Sequence, residues 1–234
     1  MNEPQRISYR FDLPDGSTKT LEFAFDPVDF RMLKAPPANP PFWAELGFSR
    51  CANCPLDASV HPHCPAALQM TWAVEPLKAL VSFDTVGVTV TQAERTMYAQ
   101  TSAQQAMSSV LGLIMATAGC PWTDHLRPMA RFHLPFASEA ETVYRSICMF
   151  LLAREIGAVG SHGFTALEEL YRNLHVVNRD MSRRLGAAAR TDPARNAMAL
   201  LDSYTTLLPA ALECSLEELR PLFDAWQSKR NPAI

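Results

Sequence analysis

The sequence predicts an α+β protein: a small antiparallel β-sheet packed on a C-terminal bundle of about five helices, with a cysteine-rich loop inserted in the sheet region. Three observations carry this prediction. Residues 7–25 alternate apolar and polar side chains with the period of strands. From residue 101 onwards the chain repeats helix start and stop signals. Between these regions, three cysteines fall within SRCANCPLDASVHPHCPAA, from Cys51 to Cys64.

The N-terminal alternation reads as a hairpin. ISYRFDL places Ile7, Tyr9, Phe11 and Leu13 on one face, and TKTLEFAF does the same for Leu21, Phe23 and Phe25. Pro14-Asp15-Gly16-Ser17 supplies the turn. A lone hairpin is marginal in water, so another strand is needed. The stretch near 81–98, where Val86, Val88 and Val90 alternate with small or polar residues, provides it. A three- or four-stranded sheet follows. Between them run the proline-rich APPANPPFW and a short helix from Pro65 to Glu75, ended by Pro76, whose buried face would carry Leu68 and Trp72.

Capping boxes mark the helical half: Ser102 with Gln105, Ser138 with Glu141, Thr165 with Glu168 and Ser215 with Glu218. Gly119, Gly157 and Gly186 sit where left-handed C-terminal residues are wanted. Asp192-Pro193 is an N-cap followed by the preferred first helical residue. Helices are predicted near 103–118, 139–156, 166–185, 193–208 and 216–228, the last kinked at Pro221. Leu167, Leu170, Leu174, Val177, Met181 and Leu185 make an apolar stripe along the third, with Asn178 beside it.

Length and composition fit one domain over 1–234, divided into a β-region at 5–100, with its cysteine loop at 48–66, and a helical region at 101–230. The hydrophobic fraction of 48% supports a core of ordinary size. A net charge of −3 gives no basic face, so a nucleic-acid partner is not expected. No apolar run is long enough to cross a membrane. The N-terminus lacks the apolar segment of a signal peptide, which makes the cytoplasm the expected compartment. There, clustered cysteines read as metal or redox chemistry before disulfides.

Cys51-x2-Cys54 puts two thiols on one tight turn, and Cys64 follows His61-Pro62-His63. Three thiolates with a fourth ligand make a tetrahedral site suited to Zn²⁺. The fourth ligand is Cys120, with His61 as the alternative. Cys54, Cys64 and Cys120 each precede proline, which would place each at a helix N-cap, where free N–H groups favour the thiolate. A four-cysteine set also fits an iron–sulfur cluster, because cysteine followed by proline occurs there as well.

The segment GLIMATAGCPWTDHLRPMARFHLPF, residues 112–136, forms a second constellation. Pro128 and Pro135 keep it from being one helix. Arg127, Arg131 and His133 would line an anion pocket with His125 or His133 as acid or base, making His125, His133 and Arg131 the catalytic candidates. Alternatively, the arginines pair with Asp124 and Glu141 and the histidines bond to backbone. Glu94, Arg95 and Tyr98 read as a solvated rim. Cys148, Cys214, Met107, Met115 and Met149 read as core. No glycine-rich phosphate loop, Ser-x-x-Lys or His-Glu-x-x-His occurs.

The pairing of CANCPLDASVHPHCP with GLIMATAGCPWTDHLRPMARFHLPF resembles a bacterial protein family of unknown function, over the chain from the N-terminal hairpin to the 193–208 helix. The resemblance implies a single-domain bacterial protein and brings no activity or site residues. Three functional expectations follow from the residues themselves. One is a structural metal that pins the cysteine loop to the helical body. Another is a metal- or thiolate-dependent enzyme, or a redox sensor, facing the 119–136 segment. The third is a binding module that engages a protein partner or a second copy of the chain through the proline-rich 35–43 stretch and Trp43. In that last case, the alternative is that Phe42 and Trp43 fold back over the core.

Overall fold

Alternation in the first 25 residues becomes two paired strands, β1 (Gln5–Asp12) and β2 (Thr18–Phe25). Gly16 adopts φ 80°, and Asp15 Oδ1 accepts from both the N–H and the hydroxyl of Ser17, at 2.9 and 2.6 Å. A left-handed residue and an Asx turn therefore close the hairpin. The computed structural model describes residues 3–157, 164–188, 193–203, 205–206 and 221–223.

The stretch expected to hold one strand near 81–98 holds two, β3 (Thr85–Thr91) and β4 (Thr96–Ser102). The turn between them, Gln92 to Arg95, has neither glycine nor proline, and the Gln92 N–H bonds to the Arg95 carbonyl at 2.9 Å. Pattern reading runs past such a turn. The sheet is four-stranded and antiparallel throughout, in the order β2-β1-β3-β4. Its inner face is Ile7, Tyr9, Phe11, Leu21, Phe23, Phe25, Val86, Val88 and Val90, all buried.

α1 (Pro65–Val74) buries Ala66, Ala67, Met70, Ala73 and Val74, whereas the expected Leu68 and Trp72 are only half-buried. Small residues face the core because α1 packs closely on α2 (Ala103–Thr117), while Trp72 lies under the Lys34 ammonium, 4.4 Å from its ring centre. Ser102 caps α2 by accepting from the Gln105 N–H, and Gly119 follows its end at φ 85°. α2 is buried nearly all round, which suits a helix between a sheet and further helices.

After the short α3 (Arg127–Arg131), the Ser138–Glu141 box opens α4 (Glu139–Gly157) with both reciprocal bonds made. α5 (Thr165–Ala188) begins at Thr165 itself, so Thr165 is its first helical residue and not its cap. Gly186 lies inside α5. A Cβ there would stand 2.7 Å from Arg195 Cδ, so this glycine admits a neighbouring side chain and does not end the helix. Residues 193–203 are helical. Of the helix expected at 216–228, residues 221–223 are described and helical; the rest of it and its Ser215–Glu218 box fall outside the described residues, as do Asp192 and Cys214.

One core runs from the sheet through α1 and α2 into α5 and Ala194, Ala197 and Met198. A smaller one joins Val143, Ile147 and Phe150 of α4 to Leu167, Tyr171 and Leu174 of α5. Among the described residues, no helix is long and apolar enough to cross a membrane. Cys148, expected in the core, is exposed on α4, because the apolar seam of that helix runs through Val143, Ile147 and Phe150 instead.

Candidate functional site

The cysteine loop folds against the ends of three elements. Cys51 and Cys54 flank a turn closed by the Cys54 N–H on the Cys51 carbonyl, at 3.1 Å. The Ala52 N–H donates to Asp180 Oδ2 at 2.9 Å, and Asn53 Nδ2 reaches Asn173, tying the turn to α5. Trp122 Nε1 donates to the Asn53 carbonyl at 2.6 Å, tying it to the segment that follows Cys120. Cys64 is the N-cap of α1, and its N–H bonds to the Ala44 carbonyl. All four cysteines are free thiols.

Their electrostatics show that they share one place. Burial pushes the Cys51 thiol up to about 12, with Cys64, Asp180 and Cys120 adding to the rise and Arg184 opposing it. Burial also raises Cys64. The Ala67 N–H, Arg184 and the Ala66 N–H pull it back, and Cys54 adds to the rise. Cys120 is raised by burial, opposed by the Trp122 N–H and the Thr123 hydroxyl, and raised further by Cys64 and Cys54. Thiols feel one another's charge in this way only at short range in poorly solvated surroundings. The expected stabilisation of thiolates at N-caps is therefore outweighed by desolvation. Only Cys64 occupies an α-helix N-cap, since Cys54 closes the turn that begins at Cys51 and Cys120 opens the turn that follows it. Among the described residues, no three His, Cys, Asp or Glu side chains stand already converged as a metal-ligand group.

Beside the thiols lies Arg184, 1% exposed. Its Nη1 donates to the carbonyls of Trp43 and Glu45 at 2.7 and 2.6 Å, and its Nη2 to that of Leu46 at 3.4 Å. Its Nε–H is buried without a partner. Neighbouring Asp180 pairs with Arg179 and Arg183, so no carboxylate reaches Arg184 among the described residues.

On the other side of Thr123, whose hydroxyl donates to the Met115 carbonyl, a cavity of about 180 Å³ opens between the two cores. Leu113, Met129, Phe136 and Leu174 are among its apolar walls, and Ser108, His133, Arg145, Tyr171 and Asn178 are among its polar ones. Tyr9 hydrogen-bonds to His133 Nε2. Burial holds the Tyr9 hydroxyl protonated well above its ordinary range and drives the His133 imidazole down to about 3, with Arg145 adding to that fall. Both partners are therefore neutral in the folded chain.

A family model described as a domain of unknown function, DUF6901, matches residues 7–224. The chain belongs to the DUF6901 family. No curated protein and no solved structure matches it. Membership in a family of unknown function agrees with the resemblance of the two quoted motifs.

Within this DUF6901 chain the residues singled out from sequence separate into three groups. Cys51, Cys54, Cys64 and Cys120 come together. His61 stands apart: it is exposed, its N–H bonds to the Asp57 carbonyl, and its ring acts on the Asp57 carboxylate. Of the charged and imidazole candidates in the second constellation, His125, Arg127, Arg131 and His133, only His133 is in the described lining of the cavity. Arg127 pairs with Asp124 and Asp29, at 3.2 and 3.3 Å, and Arg131 faces Glu94 at 3.8 Å. Glu141, an expected arginine partner, is taken by its capping box. His125 keeps a buried, unpartnered Nε2, and burial lowers its pKa. No cysteine lines the cavity, so thiol and imidazole do not share one pocket there. Tyr98 is exposed, as read from the sequence, and Asn178, beside the apolar stripe of α5, is a cavity wall. Trp43 is 3% exposed, so it covers the core while Phe42 packs edge-on against Phe48 at the surface. Two residues escaped the sequence reading. Arg184 follows Met181 by one turn in the α5 stripe, and that position was its only signal. Arg145 had none.

Two outcomes follow. Arg184→Met should destabilise the fold by about 2–5 kcal/mol in chemical denaturation, because three buried carbonyls lose a charged donor. The second concerns acid. His133 titrates near 3 folded and near 6.5 unfolded, so the unfolded chain binds the extra proton. Its contribution is full above about pH 6.5 and falls by up to about 1.4 kcal/mol per pH unit as acid is added towards pH 3. A His133→Asn variant, compared with the parent between pH 7 and pH 4, should show a correspondingly shallower loss; equal slopes would contradict this.

Proposed function

We propose that this DUF6901 chain is a zinc-binding protein in which Cys51, Cys54, Cys64 and Cys120 hold the ion and the ion's role is structural. The observation that carries the reading is Arg184: a buried guanidinium, without a carboxylate among the described residues, beside the buried Cys64 and the half-buried Cys51, with Cys54 and Cys120 next to them. A buried charge needs a counter-charge. Zinc bound by four thiolates is a dianion, and it would supply that charge where neutral thiols do not. Binding would release the thiol protons and turn the sulfurs inward from their present backbone contacts. Four protein ligands leave no open position for a substrate, which favours structure over catalysis.

The ion would then join the loop after the proline-rich stretch, the start of α1 and the segment after α2. His61 is the weaker fourth ligand because it lies at the surface beside Asp57. A reducing compartment, such as the cytoplasm, would suit free thiols.

Elemental analysis of protein purified without oxygen should find about one zinc per chain in a colourless sample. Chelation should lower the melting temperature by more than about 5 °C. Cys120→Ser should lose both metal and stability, while His61→Ala keeps both. A metal-free native protein, or full occupancy in Cys120→Ser, would refute the assignment, and a brown sample would replace zinc by an iron–sulfur cluster.

A further inference from the structure

We infer that the cavity between α2, the 126–137 segment, α4 and α5 is a binding site for a small monocarboxylate with an apolar body. The inference is independent of the metal. Three observations point to it: the walls, the charge and the unused donors.

Most of the wall is apolar, from Leu113, Met115, Leu126, Met129, Phe136 and Leu174. At about 180 Å³ it is slightly larger than the cavity of about 150 Å³ that takes up a benzene-sized molecule. The charge is one-sided. Arg145 is the charged residue of the described lining, and no Asp or Glu joins it. Glu141, one turn earlier on α4, acts on Arg145 electrostatically but keeps its carboxylate on the Ser138 N–H at 2.7 Å.

The donors are held ready. Arg145 Nη2 donates to the carbonyls of Met129 and Phe132, both at 2.8 Å, which fixes the guanidinium and leaves Nε and Nη1 without a partner among the described residues. Asn178, 6% exposed, and Ser108, 7% exposed, line the same cavity, and neither side chain has a hydrogen-bond partner among the described residues. His133 presents a neutral ring to the cavity. Amides and hydroxyls that face a cavity take their partners from whatever fills it, and such groups gathered around one cavity are what a polar ligand would satisfy. A carboxylate takes charge-assisted bonds from Arg145, Asn178 and Ser108 while its body fills the apolar end. A neutral molecule of the same shape leaves Arg145 desolvated and unmatched.

The test is isothermal titration calorimetry of the full chain at pH 7 with benzoate and hexanoate, against benzyl alcohol and hexanol as neutral mimics. At least one acid should bind, and its alcohol should bind at least about 10-fold more weakly. Arg145→Gln should abolish acid binding. Because Arg145 also secures two carbonyls, Asn178→Leu is the companion variant. It should weaken the acid by about fivefold or more while leaving the melting temperature unchanged or raised, since the amide has no partner among the described residues. The inference is overturned if neither acid binds at about 10 mM, if the alcohols match the acids, or if Asn178→Leu leaves acid affinity intact.

Discussion

A guanidinium sealed inside a protein must be answered by acceptors, and Arg184 is answered by the backbone of residues 43–46. That contact sets the position of much else. It seats Trp43 and Leu46 over the core and fixes the path by which the proline-rich stretch enters the cysteine loop. The backbone pairing of Glu45 with His63 then delivers Cys64 to the start of α1. From the other side, Ala52 on Asp180 and Trp122 on Asn53 bring the first two cysteines and Cys120 to the same place. A loop rich in proline has little secondary structure of its own to hold it, so its order rests on these contacts with α5 and with the segment after α2.

The same architecture explains the cavity. α2 is filled by the sheet on one side, but α4 and α5 pair through a separate small core. Two cores that meet along a proline-broken segment do not interdigitate fully, and the space between them is lined by whatever that segment presents. Phe136, at φ 61°, marks how far its backbone departs from regular structure, and its N–H is held by the Ser109 hydroxyl at 3.0 Å. The cysteine cluster and the cavity are thus neighbours across Thr123 without being one site. Chemistry that combines thiol and imidazole in a single pocket has no support in this arrangement.

Much of the fold was legible because it rests on local rules. Period-two alternation gave the hairpin, and the Ser102 and Ser138 caps with Gly119 gave the bounds of α2 and the start of α4. The second hairpin was missed because its turn, Gln92-Ala93-Glu94-Arg95, carries no turn chemistry. Gly186 misled because a glycine that admits Arg195 looks, in sequence, like one that ends a helix. At the site, cysteine spacing brought Cys51, Cys54 and Cys64 forward, and the recurrence of Cys-Pro added Cys120. Arg145 and Arg184 were not legible. An arginine on an amphipathic helix ordinarily lies in solvent, and only tertiary packing turns one inward. Arg131, which looked like a pocket residue beside His133, faces Glu94 instead, because α3 ends at Arg131 and His133 lies in the irregular backbone beyond it.

The central claim is that four sulfurs, and not three sulfurs with the His61 imidazole, surround one ion next to Arg184. X-ray absorption at the zinc edge of the native protein addresses it directly. The account predicts a single shell of four sulfur neighbours at about 2.3 Å. A nitrogen neighbour at about 2.0–2.1 Å, or the absence of any zinc signal, would contradict it.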